Sequence, residues 1–484
     1  MAAAGAQAAD PPATAVSAAR LGRAGGTLTA GHALAVRYDG EVDFEGHFAR
    51  PHAFKTYHSS RRITMAGPER VRQDWTTWQD GDSARSVEST LLLGDRVLRR
   101  DDASSPWVEL AGAVAGDAAW IVWSAVPGLM SARGMARLGH GLGGGAINEY
   151  RSRFVWPDPL GAVTVELDVV DQPIQLQVAT SDPWRGSVLR DCRYFGTTQQ
   201  ANLTWPDSVA TVAYPAGAMY RMRERRTAIE DVTSLAALAL PDSVRPAAPA
   251  RTDTIPVTRE LAPHVWAVTL KDAETQSLVL EFADHLVVLE TSCDVPHGER
   301  LKAAIARLSP KPVRYVSFSH YHPDYTGGLR PFIADTATIV CAQSNRAYVD
   351  EIAHWSFQLD PDRLWKRRTG GIVPHVDTLT VGRWRHADAL NEVVVIDIGA
   401  KSHHTDAYSV FWLPRAKLLF EGDLGWFASP GGVRASTRAA GLLAAIDEAK
   451  IAPARVVQSW TPGATAPALP LRELRALVAA RAGK

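Results

Sequence analysis

The chain has 484 residues, enough for two or three domains with cores that need no covalent staples. Hydrophobic residues make up 46% and charged residues 21%, and 52 Lys plus Arg balance 52 Asp plus Glu. A neutral chain without a basic run argues against nucleic acid as a partner, and no apolar run approaches the ~20 residues of a membrane-spanning helix.

The start, MAAAGAQAADPP, carries Ala6-Gln7-Ala8 before Ala9-Asp10-Pro11. That pattern is similar to the small-residue cleavage site of a secretory signal peptide, without its basic and apolar regions. It points to a periplasmic or secreted protein, with the cytoplasm as the alternative. Residues 1–30 are Ala/Gly-rich and aperiodic, which fits a disordered tail or a signal-peptide remnant. Cys192, Cys293 and Cys341 are too scattered for a disulfide framework and read as buried free thiols.

Residues 31–245 form the next region. ALAVRYDGEVDFEG, FKTYHSSRRITMAG, ERVRQDWTTWQDG and ESTLLLGDRVLRRDD read as strands broken at Gly and Asp. Residues 110–140 are Ala-rich and helical, and strands return in EYRSRFVWP, AVTVELDVV and PIQLQVAT. This predicts a β-rich α+β domain, a curved antiparallel sheet with helices on one side, faintly similar to the lipoprotein-carrier half-barrel. Gly139 to Gly144 match G-x-G-x-x-G, but the motif follows a helix and precedes a strand. The dinucleotide fingerprint needs the opposite order, so these glycines read as a loop.

The stretch PDSVRPAAPARTDTIP, residues 241–256, has linker composition and places a boundary near 250. In residues 255–484, HVWAVTL, SLVLEFA, HLVVLET, VRYVSFS and ATIVCAQ read as strands, as do VVVIDIGA, YSVFWLP, AKLLFEGD and RVVQSW. GERLKAAIARLS, SNRAYVDEIA, TRAAGLLAAIDEAK and LRELRALVAARAG read as helices, the first with Leu301, Ile305 and Leu308 on one face. This mixture predicts an α/β layered sandwich.

Ser319-His320-Tyr321-His322-Pro323-Asp324-Tyr325-Thr326-Gly327-Gly328 follows a hydrophobic strand. In an extended loop alternate side chains point the same way, so His320 and His322 can reach one ion, with Asp324 on the same side. A third histidine, His403 or His404, precedes YSVFWLP, and Asp423 follows the next strand in Glu421-Gly422-Asp423. Imidazole nitrogens in this number suit zinc, with a position left open when the site is catalytic.

The run His320 to Asp324 resembles the first signature of the metallo-β-lactamase superfamily. His404 to Pro414 resembles its second histidine motif, and Glu421-Gly422-Asp423 its bridging-aspartate motif. The resemblance spans nearly all of 255–460 and implies an αββα sandwich, metal binding and hydrolysis. It also selects His404 over His403, which becomes a neighbour. Two positions depart from the family. Tyr325 stands where the family has a His after the motif's Asp, and Val457-Gln458-Ser459-Trp460 lacks the family's last His. Both losses fall on the second metal. The expectation is one zinc on His320, His322 and His404, with Asp324 and Asp423 as the strong ligands left for a second ion. Tyr325 oxygen ligation would favour iron or manganese.

A three-histidine site lowers the pKa of bound water and makes a hydroxide nucleophile. Asp324 is the candidate to orient that water or take its proton, and Tyr325 to donate a hydrogen bond to the developing oxyanion. The expected function is a metal-dependent hydrolase of an ester, lactone or similar bond in a small, fairly apolar substrate. Trp355, Trp365, Trp426 and Trp460 are the candidate rim of its pocket. Two alternatives stand beside it: a degenerate metal-binding protein carrying a ligand on the β-rich domain, and a redox or lyase variant of the fold.

Overall fold

The computed structural model describes residues 20, 23–24, 28, 32–45, 48–81, 85–136, 143–148, 150–159, 161–200, 202–214, 220–247, 254–367, 371, 373–425, 437–460 and 468–482. The chain divides into two compact units. The first spans 1–46, 54–181 and 187–249; the second spans 47–53, 182–186 and 250–484.

The first unit is built on a 14-stranded sheet. The strands from Ala33–Glu45 to Trp107–Leu110 form one meander and those from Gly143–Asn148 to Tyr220–Val232 another. The meanders join where Ala33–Glu45 pairs antiparallel with Tyr220–Val232. Period-two burial is plain in Arg151–Asp158, where Ser152, Phe154, Trp156 and Asp158 are buried and the residues between them are exposed. Phe154 and Trp156 share a core with Trp120 and Trp123 of the helix Gly112–Trp123. Arg61 and Glu224 form a fully buried ion pair on the sheet, and Arg61 Nη1 also donates to Ile121 O of that helix at 2.6 Å. A buried charge needs such a partner set, because an unpaired one costs several kcal/mol, about 3–5 when one partner is removed. The Gly139–Gly144 motif falls mostly outside the described residues; Gly143 opens the strand Gly143–Asn148.

The second unit is a sandwich of a seven-stranded and a six-stranded sheet. In the first sheet Leu286–Leu289, Val313–Ser317, Thr338–Cys341 and Val376–Thr378 run parallel, after an antiparallel start at Val257–Ala262. Parallel strands bury both faces, which is why Leu286–Leu289 is apolar throughout. In the second sheet alternate residues go to opposite layers. Phe411 and Phe420 pack between the sheets with Leu278, Leu280 and Val287. Val410, Leu419 and Val456 pack outward with Leu442, Ile446 and Leu474 of the helices Thr437–Glu448 and Leu471–Ala482.

The helix Val295–Leu308 starts where the Asp294 side chain accepts from His297 N–H at 2.8 Å. It buries Leu301, Ala304 and Ile305, the i, i+3, i+4 stripe. Residue 308, expected on that face, lies at the helix end and is half-buried. The result is the four-layer helix–sheet–sheet–helix arrangement anticipated for this half of the chain. The metal-ligand candidates lie at loops on one end of its strands.

Candidate metal centre

The strand Val313–Ser317 lies between two parallel neighbours, and its carboxyl end leads into Ser319 and the two histidines. Ligand sites in parallel sheets favour such ends. His322 has extended dihedrals, so the alternation that brings His320 and His322 together holds up to that residue. Pro323 then starts the helical turn Pro323–Thr326. Asp324 therefore sits on a turn and not on a continuing extended loop, a difference caused by the fixed φ of Pro323.

The loop after Leu286–Leu289 cradles this motif. Thr291 N–H and Oγ1–H both donate to Tyr325 O, at 3.2 and 2.9 Å. Glu290 and Ser292 adopt φ of +67° and +73°, unusual for residues with a Cβ and a store of local strain. Gly327 packs so closely that a Cβ there would lie 1.9 Å from Cys293 O. The buried Glu290 carboxylate accepts from Ser319 N–H at 3.2 and 3.1 Å; burial holds its carboxyl well above the usual range, against that hydrogen bond.

Three imidazoles converge. His320 Nε2 lies 2.9 Å from His322 Nδ1, and the ring centroids of His404 lie 4.7 and 4.8 Å from those of His320 and His322. One nitrogen from each falls within 4.8 Å of the others. His320 Nδ1 is 3.0 Å from Ser319 Oγ. With Nδ1–H donating there, the Nε2 lone pair faces the other two rings, the tautomer a metal needs. Tyr408 stacks on His320 at 4.7 Å and 19°. The nitrogen donor set and its spacing fit zinc.

The carboxylates stand outside this trio. Asp423 Oδ2 is 3.1 Å from His404 Nε2 and 3.2 Å from Arg438 Nη1. Burial would raise the Asp423 carboxyl, but the His404 hydrogen bond and the charges of His404, Arg438 and His322 outweigh it and hold the group below its ordinary value. Gly422 permits the approach, since a Cβ there would lie 2.5 Å from Tyr408 Oη and 2.6 Å from Ser319 Oγ. Asp324 is half-buried and accepts from Cys293 Sγ at 3.7 Å. Tyr325 is buried, its ring 4.3 Å from that of His320. Burial, reinforced by the charges of Asp423 and Asp324 among others, pushes its phenol well up.

The position of the absent terminal histidine is filled structurally. Ser459 is buried, with its Oγ donating to Gln276 O at 2.8 Å and its N–H to Glu421 O at 2.7 Å. His403 takes a left-handed conformation and packs on the helix Thr437–Glu448, where a Cβ on Gly441 would lie 3.0 Å from its ring. Of the tryptophans, Trp355 is buried against Tyr348 and Trp184, Trp365 is half-buried, and Trp426 lies outside the described residues. Trp460 bridges to Thr275. Sequence reasoning missed Arg438, Tyr408 and Glu290. Arg438 lies fifteen residues beyond Asp423 with no spacing signal, and the other two look like ordinary strand-end residues.

The family model described as the Metallo-beta-lactamase superfamily matches residues 272–461. A linear primary-alkylsulfatase from Pseudomonas sp. is 25% identical over 57 residues, 12% of this chain and 11% of that protein. The match thus spans about a tenth of that relative's length. Among solved structures, the metallo-beta-lactamase FIM-1 from Pseudomonas aeruginosa, in its mono-zinc form, is 18% identical with a TM-score of 0.35, covering 48% of this chain and 98% of that one. The sec-alkylsulfatase Pisa1 from Pseudomonas sp. is 17% identical with a TM-score of 0.34, covering 48% of this chain and 41% of that one. A metallo-beta-lactamase from Pontibacter korlensis is 15% identical with a TM-score of 0.34, covering 46% and 97%. The match over residues 272–461 identifies this part of the C-terminal half as a metallo-beta-lactamase superfamily region.

Proposed function

We propose that the C-terminal unit hydrolyses an ester-type bond, carboxylic or sulfuric, in a small and fairly apolar substrate. The observation that carries this reading is the convergence of His320 Nε2, His322 Nδ1 and His404 on one point. Zinc bound there would supply Lewis-acid chemistry, polarising the scissile bond and acidifying water.

The chain's own residues divide the remaining work. His320, His322 and His404 would hold the ion, with Asp423 Oδ2 3.1 Å from His404 Nε2 beside them. Asp324, half-buried on its turn, takes the proton released by the attacking water. The protonated Tyr325 phenol donates to charge that develops on the reacting centre.

A cavity of about 340 Å³ in the same unit is lined by Tyr321, Tyr348, His52, Arg50, Glu351 and Asp406 among others, and by none of the three histidines. Tyr321 sits between the two histidines, its ring 4.5 Å from that of His322. The similarity of a short stretch to a linear primary-alkylsulfatase adds primary alkyl sulfates to the bonds worth testing.

The test is an assay of the zinc-loaded protein against p-nitrophenyl esters, lactones and primary alkyl sulfates. The expected result is turnover of at least one class, abolished by chelation and by His322→Ala, and restored to the wild type by zinc. No turnover of any class by fully loaded protein would remove the proposal.

A further inference from the structure

A second pair of histidines faces itself at the other end of the sandwich. His285 precedes the strand Leu286–Leu289, at the opposite end from the loops that carry the zinc candidates, and His386 lies in the strand Arg383–Ala387 of the second sheet. Their Nε2 atoms are 2.9 Å apart. That separation equals the one between His320 Nε2 and His322 Nδ1 in the histidine cluster.

From these contacts we infer that His285 and His386 form a second transition-metal site that ties the two sheets together, suited to nickel(II) or copper(II). With metal–nitrogen bonds of about 2.0–2.1 Å, nitrogens 2.9 Å apart are close enough to share one ion. Imidazole nitrogens suit nickel and copper as well as zinc, and water can take the remaining positions.

The surroundings prepare the pair. His285 Nδ1–H donates to Asp284 Oδ1 at 2.6 Å, which turns its Nε2 lone pair toward His386. A carboxylate behind an imidazole in this way raises its basicity as a ligand. Asp284 is itself held by Arg314 at 2.7 Å, and Asp388 is anchored by the backbone N–H groups of Leu390 and Asn391 at 2.8 and 2.9 Å. The rings are oriented by packing. His285 lies flat on Phe282 at 5.0 Å and 10°, His386 lies on Trp384 at 5.5 Å and 15°, and Tyr315 stands edge-on to His285 and tilted against His386. His285 is buried and His386 half-buried.

The test titrates nickel(II) into protein whose first cluster is already loaded with zinc. Equilibrium dialysis followed by elemental analysis reads both metals, and thermal melting is measured on the same samples. The expected result is one further nickel per chain in the wild type, zinc retained, and a melting temperature raised by nickel. In His386→Gln and His285→Asn the further nickel should bind at least tenfold more weakly and the nickel-induced melting shift should vanish, with zinc content unchanged. Circular dichroism of each variant before titration separates loss of the site from loss of the fold, and the half-exposed His386 is the safer position of the two. Equal nickel binding in wild type and a folded His386→Gln would overturn the assignment. So would a wild type that takes no further nickel, because the two rings would then be only a hydrogen-bonded pair.

Discussion

The Tyr408 hydroxyl donates to Asp423 Oδ1 at 3.1 Å and accepts from the Asp423 backbone N–H at 2.9 Å. One phenol thus fixes both the main chain and the side chain of the residue that faces His404, while its ring stacks on His320. Tyr408→Phe keeps the ring and removes both hydrogen bonds. An orphaned buried polar group costs about 1–3 kcal/mol, and loss of an outer partner costs about 10–100-fold in metal affinity. The expected outcome is a folded, less stable protein whose zinc affinity falls within that range, read by competition with a chromogenic chelator. Unchanged affinity would remove Tyr408 from the positioning of the site.

Gly422 tests the same arrangement by steric means. A methyl group there meets the Tyr408 hydroxyl and Ser319 Oγ, and Ser319 also contacts His320 Nδ1. Gly422→Ala should cost about 1–3 kcal/mol, the range for overpacking a filled interior. Denaturant unfolding measures it, and zinc content should fall together with stability. A neutral substitution would mean that the loop relaxes without disturbing its neighbours.

Acid stability should depend on Glu281, at the end of the strand Thr275–Glu281. Its carboxylate receives His264 Nδ1 at 2.9 Å, Lys311 Nζ at 2.9 Å and Ser309 Oγ at 3.2 Å. Burial opposes the shift, but these hydrogen bonds and the Lys311 charge hold the carboxyl below its ordinary 4.5. As pH falls, the unfolded chain takes this proton first. The stabilisation is present above about 4.5 and is lost as pH falls through the lower folded value. Glu281→Gln should therefore flatten the acid limb of a stability–pH curve below 4.5. An unaltered limb would assign acid sensitivity to other carboxylates.

Much of this was legible in the sequence for physical reasons. Strand periodicity, the His-x-His alternation and the strand-end Asp423 are local patterns, and local patterns survive folding. The turn at Pro323–Thr326 was also written locally, in Pro323, yet the alternation argument ran through it to Asp324. What could not be read was long-range. Arg438 reaches Asp423 from a separate helix, and Glu290 reaches Ser319 from a neighbouring strand end. The placement of Phe48–Ala53 in the second unit is of the same kind. Tyr321 Oη donates to Phe48 O at 3.0 Å and Asp406 N–H to Ala49 O at 2.6 Å, contacts invisible at a separation of hundreds of residues.

Those two contacts give a prediction about the domain boundary. A fragment of residues 255–484 retains all three histidines but lacks Phe48 and Ala49, the acceptors behind both histidine loops. The fragment should bind zinc more weakly than the full chain, by calorimetry under identical conditions. Equal affinity would show that the loops are self-supporting.

Elemental analysis of the purified chain tests whether His320, His322 and His404 hold one transition metal. The wild type should carry about one zinc per chain after dialysis against metal-free buffer, the number that one intact three-histidine set supports. The double variant His320→Ala, His322→Ala should retain almost none while keeping its folded circular dichroism. Full metal content in that folded double variant would contradict the claim.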